Sequence, residues 1–158
     1  MNDIRHMSDT ENRSFGMFRE EADVLLDDAM IERLVAIFYT RVREDADLGP
    51  VFNEAVHDWP EHLEHLAAFW SSIMLASGRY KGNPMRAHMR WRERITPALF
   101  TRWLALWNET CTEIMPPQAA LSLQMKAARI ADSLQQALDR TLIQPGTHPE
   151  RVNTMPAS

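Results

Sequence analysis

The chain has 158 residues and a formal net charge of −5, a length typical of one domain with its own core. Hydrophobic residues make up 45% and charged residues 25%, and no apolar run approaches the roughly 18 residues of a membrane span, so we expect a globular protein without a membrane partner. The acidic balance argues against nucleic acid as a partner, and the single cysteine excludes an internal disulfide framework and suits the reducing cytoplasm.

Composition divides the chain into three segments. Residues 1–27 alternate charged and small polar side chains, and residues 144–158 contain three prolines without any periodic pattern, so we expect both to be flexible. The polar start has no apolar stretch and is not predicted to be a signal peptide. Residues 28–143 have regular apolar spacing and are predicted to form the folded domain.

The first predicted helix has clear signals at both ends. Apolar residues at helical spacing from Ile31 onward predict a helix over 28–43, and Asp27 or Asp28 can cap its N-terminus. The motif Leu48-Gly49-Pro50 is typical of a loop, so regular structure is predicted to end there.

The second predicted helix contains the most informative histidine. It covers 60–76, with Pro60 in its first turn and Gly78 as its stop signal. At about 100° per residue, His62 lies within the apolar stripe and His65 lies at its edge. The stripe consists of Leu66, Phe69 and Ile73. A histidine in such a position is usually a core residue with one hydrogen bond, but it can also be a ligand of a metal or cofactor.

Three further helices are predicted in the second half of the domain. A short one places His88 on an apolar face, the next begins at Thr96-Pro97, and the last begins after Pro116-Pro117. The apolar face around His88 consists of Met85, Trp91 and Ile95. No alternating strand pattern competes, so the predicted fold class is all-α.

Two inward-facing histidines on different helices leave three kinds of site open. Glu61, His62, Glu64 and His65 could bind a non-haem metal, although a di-iron site would need a second ExxH motif that the chain lacks. A haem needs only one proximal histidine and an apolar slot. The third alternative is a haem-free helical sensor or interaction module with a histidine-lined pocket.

The ordered motifs of the domain resemble the truncated haemoglobins, and most closely those of group III. The resemblance covers about residues 28–140 and implies a two-over-two helical sandwich around haem b. The motifs that carry it are Phe38–Arg43, Leu48–Asn53, Trp59–His62, Phe69–Ser72, Gly78–Met85 followed by His88, and Phe100–Leu106. The segment after His88, residues 89–95, departs from the family pattern because it is longer and more basic.

The resemblance implies a role for individual side chains. His88 would be the proximal iron ligand, Tyr39 and Trp103 would donate hydrogen bonds to the bound ligand, and His62 would gate ligand entry from the distal helix. The haem would contact Phe38, Phe52, Leu66, Phe69, Tyr80, Met85, Trp91, Ile95 and Trp107. The basic residues between 79 and 94 would be mainly solvated, with one or two of them meeting the haem propionates.

The implied function is binding of dioxygen, nitric oxide or carbon monoxide, with an unidentified reductase as partner. Nitric oxide dioxygenation or weak peroxidase activity would be compatible with it. Tyrosine and tryptophan donors stabilise the partial negative charge of bound dioxygen, which favours retention or reaction over bulk transport. Residues 84–92 contain no Asp or Glu that could accept the second N–H of His88. A carbonyl at Pro84 or Met85 is therefore the predicted acceptor, which argues against strong peroxidase character.

Overall fold

The computed structural model describes residues 26–143, and side chains up to residue 140. Six helices and no strand are present in this range, which confirms the all-α prediction. They are α1 (Asp28–Glu44), α2 (Leu48–Ala55), α3 (Trp59–Leu75), α4 (Pro84–Met89), α5 (Pro97–Ile114) and α6 (Pro117–Ile143). Between residues 26 and 143, no helix combines the length and apolarity needed to cross a bilayer. The predicted C-terminal tail, and the N-terminal extension up to residue 25, lie outside the described residues.

Polar side chains cap the N-termini of several helices. The Asp27 carboxylate accepts a hydrogen bond from the Met30 backbone N–H at 2.8 Å and caps α1, as predicted. Asp58 caps α3 and Thr96 caps α5 in the same way. In both helices a proline follows in the first turn, where its missing N–H removes no intrahelical hydrogen bond.

The prediction that Leu48-Gly49-Pro50 ends regular structure is wrong, because this motif begins α2. Pro50 lies in the first turn of the helix, where a missing N–H is tolerated. The Asp45 carboxylate accepts hydrogen bonds from the backbone N–H groups of Asp47 and Leu48, both at 3.0 Å. Gly49 permits close packing against α1, since a Cβ there would lie 2.7 Å from the Arg43 carbonyl oxygen.

Two helix ends also differ from the sequence prediction. Gly78 is not the stop of α3, because Ala76 already adopts a left-handed conformation with φ of 53°. The short helix around His88 ends at Met89 and gives way to turns. Trp91 and Ile95 therefore lie beyond the helix rather than on one of its faces.

The main core lies between two helix pairs, α1 with α3 and α5 with α6. At its centre Trp107 stacks against Trp70 at 4.5 Å and against Trp103 at 5.6 Å. The Trp107 indole Nε1–H donates to the Leu123 carbonyl at 3.2 Å, so its only polar group is satisfied although the side chain is fully buried. Leu26 is 6% exposed and belongs to this core, so the folded unit begins before the predicted boundary at residue 28.

Candidate functional site

A cavity of about 1230 Å³ opens between the helices. It exceeds the roughly 300–1,000 Å³ typical of small-molecule pockets, so it has room for a large cofactor. Every helix contributes to its wall, and most of the wall is apolar or aromatic. The residues contributed by α5 and α6 are Leu99, Phe100, Trp103, Ile130, Ala131 and Leu134.

The cavity brings together most of the residues predicted from the sequence. They are Tyr39, Phe52, His62, Leu66, Phe69, Tyr80, His88, Trp91, Ile95 and Trp103. Phe38, Met85 and Trp107 are absent from the wall. Phe38 is fully buried and packs edge-on against Tyr39 at 4.8 Å and Trp103 at 5.4 Å, so it supports two wall residues from the core side. Met85 packs on a second, smaller apolar cluster around Phe100.

Sequence reasoning missed the α6 side of the wall. The periodicity of α6 places Ile130 and Leu134 on its inward face, but the structure divides that face between core and cavity. An apolar side chain that packs on a neighbouring helix and one that faces a cavity have the same helical spacing. No residue type on α6 distinguishes the two environments.

His88 is held in one tautomer by the backbone. Its Nδ1 lies 2.6 Å from the Pro84 carbonyl oxygen, one turn back in α4, as the sequence predicts. Because a carbonyl can only accept, Nδ1 carries the proton and Nε2 keeps its lone pair. The ring is half-buried and lines the cavity. A histidine whose second nitrogen is fixed in this way is the arrangement found at metal ligands.

Tyr39 and Trp103 lie close together on the cavity wall, and each ring is edge-on to Phe38. Tyr39 is 4% exposed, and this burial raises the pKa of its hydroxyl far above the usual value. The Trp103 indole can only donate, so the Tyr39 oxygen accepts from it. The tyrosine therefore stays protonated, and its own O–H proton is not used in this bond. It remains available to a ligand in the cavity.

His62 lies on the part of α3 that lines the cavity. His62, Leu66 and Phe69 are only partly buried there, whereas Trp70 borders the cavity and is buried in the core. The His62 ring lies edge-on to Tyr39 at 6.2 Å and to Trp59 at 5.6 Å. Burial lowers the pKa of His62, and the nearby His65 and His88 lower it further, so the ring is neutral at pH 7.

The acidic residues beside His62 do not form a metal site. Glu61, Glu64 and His65 are exposed, and Glu64 does not line the cavity. Within residues 26–140, no three side chains of His, Cys, Asp or Glu are grouped so as to hold a metal ion. The non-haem metal alternative therefore has no support in the described part of the chain.

The loop between α3 and α4 is anchored where it borders the cavity. The Tyr80 backbone N–H donates to the Ser72 hydroxyl at 2.9 Å, and the Tyr80 ring packs edge-on against Phe69 at 5.3 Å. Arg79 donates to the Asp28 carboxylate at 2.8 Å and ties the loop to the start of α1. The loop is therefore tied both to α3 and to α1.

Comparison with known proteins identifies the family. No protein-family model matches the chain. The group 3 truncated hemoglobin of Campylobacter jejuni is 32% identical over 112 residues, which are 68% of this chain and 87% of that protein. A crystal structure of group III truncated hemoglobin from Campylobacter jejuni matches with a TM-score of 0.65 and 31% identity, and covers 72% of this chain and 91% of the other. The chain belongs to the group III truncated haemoglobins.

Membership confirms the resemblance seen in the sequence and its globin-like helical fold. Truncated haemoglobins generally bind haem, and the cavity of this member fits such a group. It is large and mostly apolar, and it contains a half-buried histidine with Nε2 free for coordination. Basic side chains at its border, Lys81, Arg86 and Arg90, are suited to the carboxylates of a haem.

Proposed function

We propose that the cavity holds haem b and that His88 is its proximal ligand. The observation that carries this proposal is the 2.6 Å contact between His88 Nδ1 and the Pro84 carbonyl oxygen, which leaves Nε2 as the coordinating nitrogen of a residue that lines the cavity. When bound, the haem would supply a ferrous iron that takes up dioxygen, nitric oxide or carbon monoxide.

Tyr39 and Trp103 would hold the diatomic ligand by hydrogen bonding. In this arrangement Trp103 donates to the Tyr39 oxygen, and Tyr39 donates its hydroxyl proton into the cavity. The stack of Trp103 on Trp107 and the edge-on contact with Phe38 fix the pair before any ligand arrives. A donor fixed in advance loses little conformational entropy on binding, so the grip on a polar ligand is strong.

His62 would control entry to the same cavity. Its ring is half-buried and neutral at pH 7, and the Tyr39 hydroxyl already supplies a donor without it. Protonation would favour a solvated ring position outside the cavity, because a charged imidazole is costly to bury. In this proposal the residue is a gate and not an iron ligand.

The reaction that we propose is dioxygenation of nitric oxide to nitrate, in the cytoplasm, with a separate reductase. A strong hydrogen-bonded grip suits a site where dioxygen waits for a second reactant rather than one that releases it. Strong peroxidase character is disfavoured, since the second nitrogen of His88 donates to a neutral carbonyl and not to a carboxylate that would make the imidazole more anionic.

The test starts from titration of the purified chain with haem, followed by absorption spectroscopy. A Soret band that saturates at one haem per chain supports the proposal, and the absence of a band after haem addition favours the haem-free sensor or interaction module. Mixing the oxygenated protein with nitric oxide should then give stoichiometric nitrate and ferric protein. Loss of nitric oxide without nitrate would contradict the proposed reaction.

A further inference from the structure

The rim of the cavity has a charge opposite to that of the whole chain. Between residues 79 and 94 the sequence contains six basic residues and a single acid, whereas the chain as a whole carries −5. We call these six exposed residues the basic rim. Its members are Arg79, Lys81, Arg86, Arg90, Arg92 and Arg94. They occupy the loop before α4, α4 itself and the turns after it.

Four of the six residues of the basic rim are electrostatically uncompensated. Arg79 pairs with Asp28 at 2.8 Å, and Arg94 pairs with Glu54. The other four have no anionic partner among the residues that the structure describes; they are Lys81, Arg86, Arg90 and Arg92. Arg86 and Arg90 stand four residues apart at α4 and its C-cap, where like charges repel. The fold thus maintains a repulsive arrangement that an external anion would relieve.

Haem carboxylates do not account for the whole rim. A haem carries two propionates, so it can neutralise two positive charges and leaves a surplus. Arg92 does not line the cavity, and its guanidinium reaches the Met89 carbonyl at 3.3 Å on the turn that follows α4. A positive surface therefore remains around the cavity opening when the cofactor is in place.

We propose that the basic rim is the docking surface for an acidic one-electron donor protein. This inference rests on the proposed function, since nitric oxide dioxygenation leaves the protein ferric and a donor must restore it. The donor gives one electron to the ferric protein and is itself oxidised by one electron, with no proton transferred. Because Lys81, Arg86 and Arg90 line the cavity, a partner on the rim sits at the cofactor's edge.

The charge pattern favours a protein of limited contact area over a nucleic acid or a membrane. The rim is confined to one loop, one short helix and a turn, and the rest of the chain is net acidic. A polyanion that extends beyond the rim would meet like charge, while an acidic patch of matching size would not. Electrostatic complementarity of this kind mainly raises the association rate and makes it depend on salt.

The test uses the haem-loaded protein and a plant-type [2Fe–2S] ferredoxin as the acidic probe. Calorimetry measures binding of oxidised ferredoxin, and stopped-flow absorbance measures reduction of the ferric protein by reduced ferredoxin, both at about 0.02 M and about 0.3 M salt. Arg92→Glu reverses a rim charge outside the cavity. Arg33→Glu is the matched control, an exposed arginine of α1 that does not line the cavity.

At low salt, Arg92→Glu should weaken ferredoxin binding and slow reduction of the ferric protein, each by about tenfold. Arg92→Lys should restore the binding and the reduction rate. Arg33→Glu should change the binding and the reduction rate by no more than about twofold. The difference should disappear at high salt. Equal effects of the two reversals would overturn the docking surface, as would tighter binding of an oligonucleotide or of phosphatidylglycerol vesicles than of ferredoxin. Salt-independent binding by a chain that shows a Soret band also overturns it but leaves the haem proposal standing. A chain without a Soret band overturns the electron-transfer role together with the haem proposal.

Discussion

Replacing Tyr39 with phenylalanine removes one oxygen from the cavity wall and keeps the ring that packs against Phe38. The side chain is 4% exposed, so water cannot replace the lost donor without entering the site. A hydrogen bond to a partly charged acceptor contributes about 1.5–3 kcal/mol. At about 1.4 kcal/mol per factor of ten, dioxygen should dissociate about ten to a hundred times faster from the variant.

The increase in dioxygen dissociation should lie toward the lower end of that range, because a second donor stands beside Tyr39. Without the tyrosine oxygen, the Trp103 indole N–H loses its acceptor and becomes free to donate to the ligand itself. Trp103→Phe in the Tyr39→Phe background should therefore accelerate dissociation again, beyond its effect in the wild type.

Stopped-flow displacement of dioxygen by carbon monoxide measures the rate, and carbon monoxide dissociation provides the comparison. Carbon monoxide is less charged when bound, so its rate should change far less than that of dioxygen. Tyr80→Phe is the matched control, because Tyr80 is the other of the chain's two tyrosines and also lines the cavity. Equal acceleration of both gases in Tyr39→Phe would refute hydrogen bonding and leave a steric role.

Three further predictions concern a gate, an ion pair and a thiol. In the wild type, the rate of carbon monoxide association should rise below about pH 6.5, which is the pKa of the free histidine side chain, and His62→Leu should abolish this rise. A ligand-free ferrous spectrum that changes from low-spin to high-spin in His62→Leu would instead indicate that His62 coordinates the iron. Asp45→Ala should cost about 1 kcal/mol in urea unfolding at pH 7, because the Asp45 carboxylate accepts hydrogen bonds from the backbone N–H groups of Asp47 and Leu48 at the start of α2. Since Arg102 holds the pKa of Asp45 below its usual range, this difference should persist above about pH 4 and vanish as pH falls through the folded-state pKa, and a difference that grows on acidification would contradict it. Burial raises the pKa of the Cys111 thiol to about 12, so iodoacetamide at pH 8 should label it only after unfolding, and rapid labelling of the native protein would show that the site opens.

The capped helix starts were predictable from the sequence, whereas the existence of α2 was not. Asp27, Asp58 and Thr96 act through their own neighbouring backbone, so local sequence specifies the caps. The α2 helix depends on contacts that local rules do not contain. Gly49 is required because α2 approaches the end of α1, and that approach exists only in the folded chain. The Gly49-Pro50 pair therefore predicts an end of regular structure, although both residues fit the first turn of a helix.

The polar part of the site was easier to predict than its apolar part. His62 and His88 stand out because histidine on an apolar face is unusual, and the lack of an acid near His88 correctly predicts a carbonyl partner. Tyr39 and Trp103 emerge only from the family resemblance, since each alone is an ordinary core residue. Phe38 and Trp107 show the limit of this reasoning, because aromatic side chains next to a cavity and on its wall have the same sequence pattern.

The most direct test of the central claim is the absorption spectrum of His88→Gly beside the wild type after haem addition. The wild type should show a Soret band and retain its haem through gel filtration. His88→Gly should lose haem in the column, and imidazole in the buffer should restore both the band and haem retention, because free imidazole can occupy the space of the missing ring. Equal haem retention and identical ferrous spectra in the two proteins without imidazole would contradict the assignment of His88 as the proximal ligand.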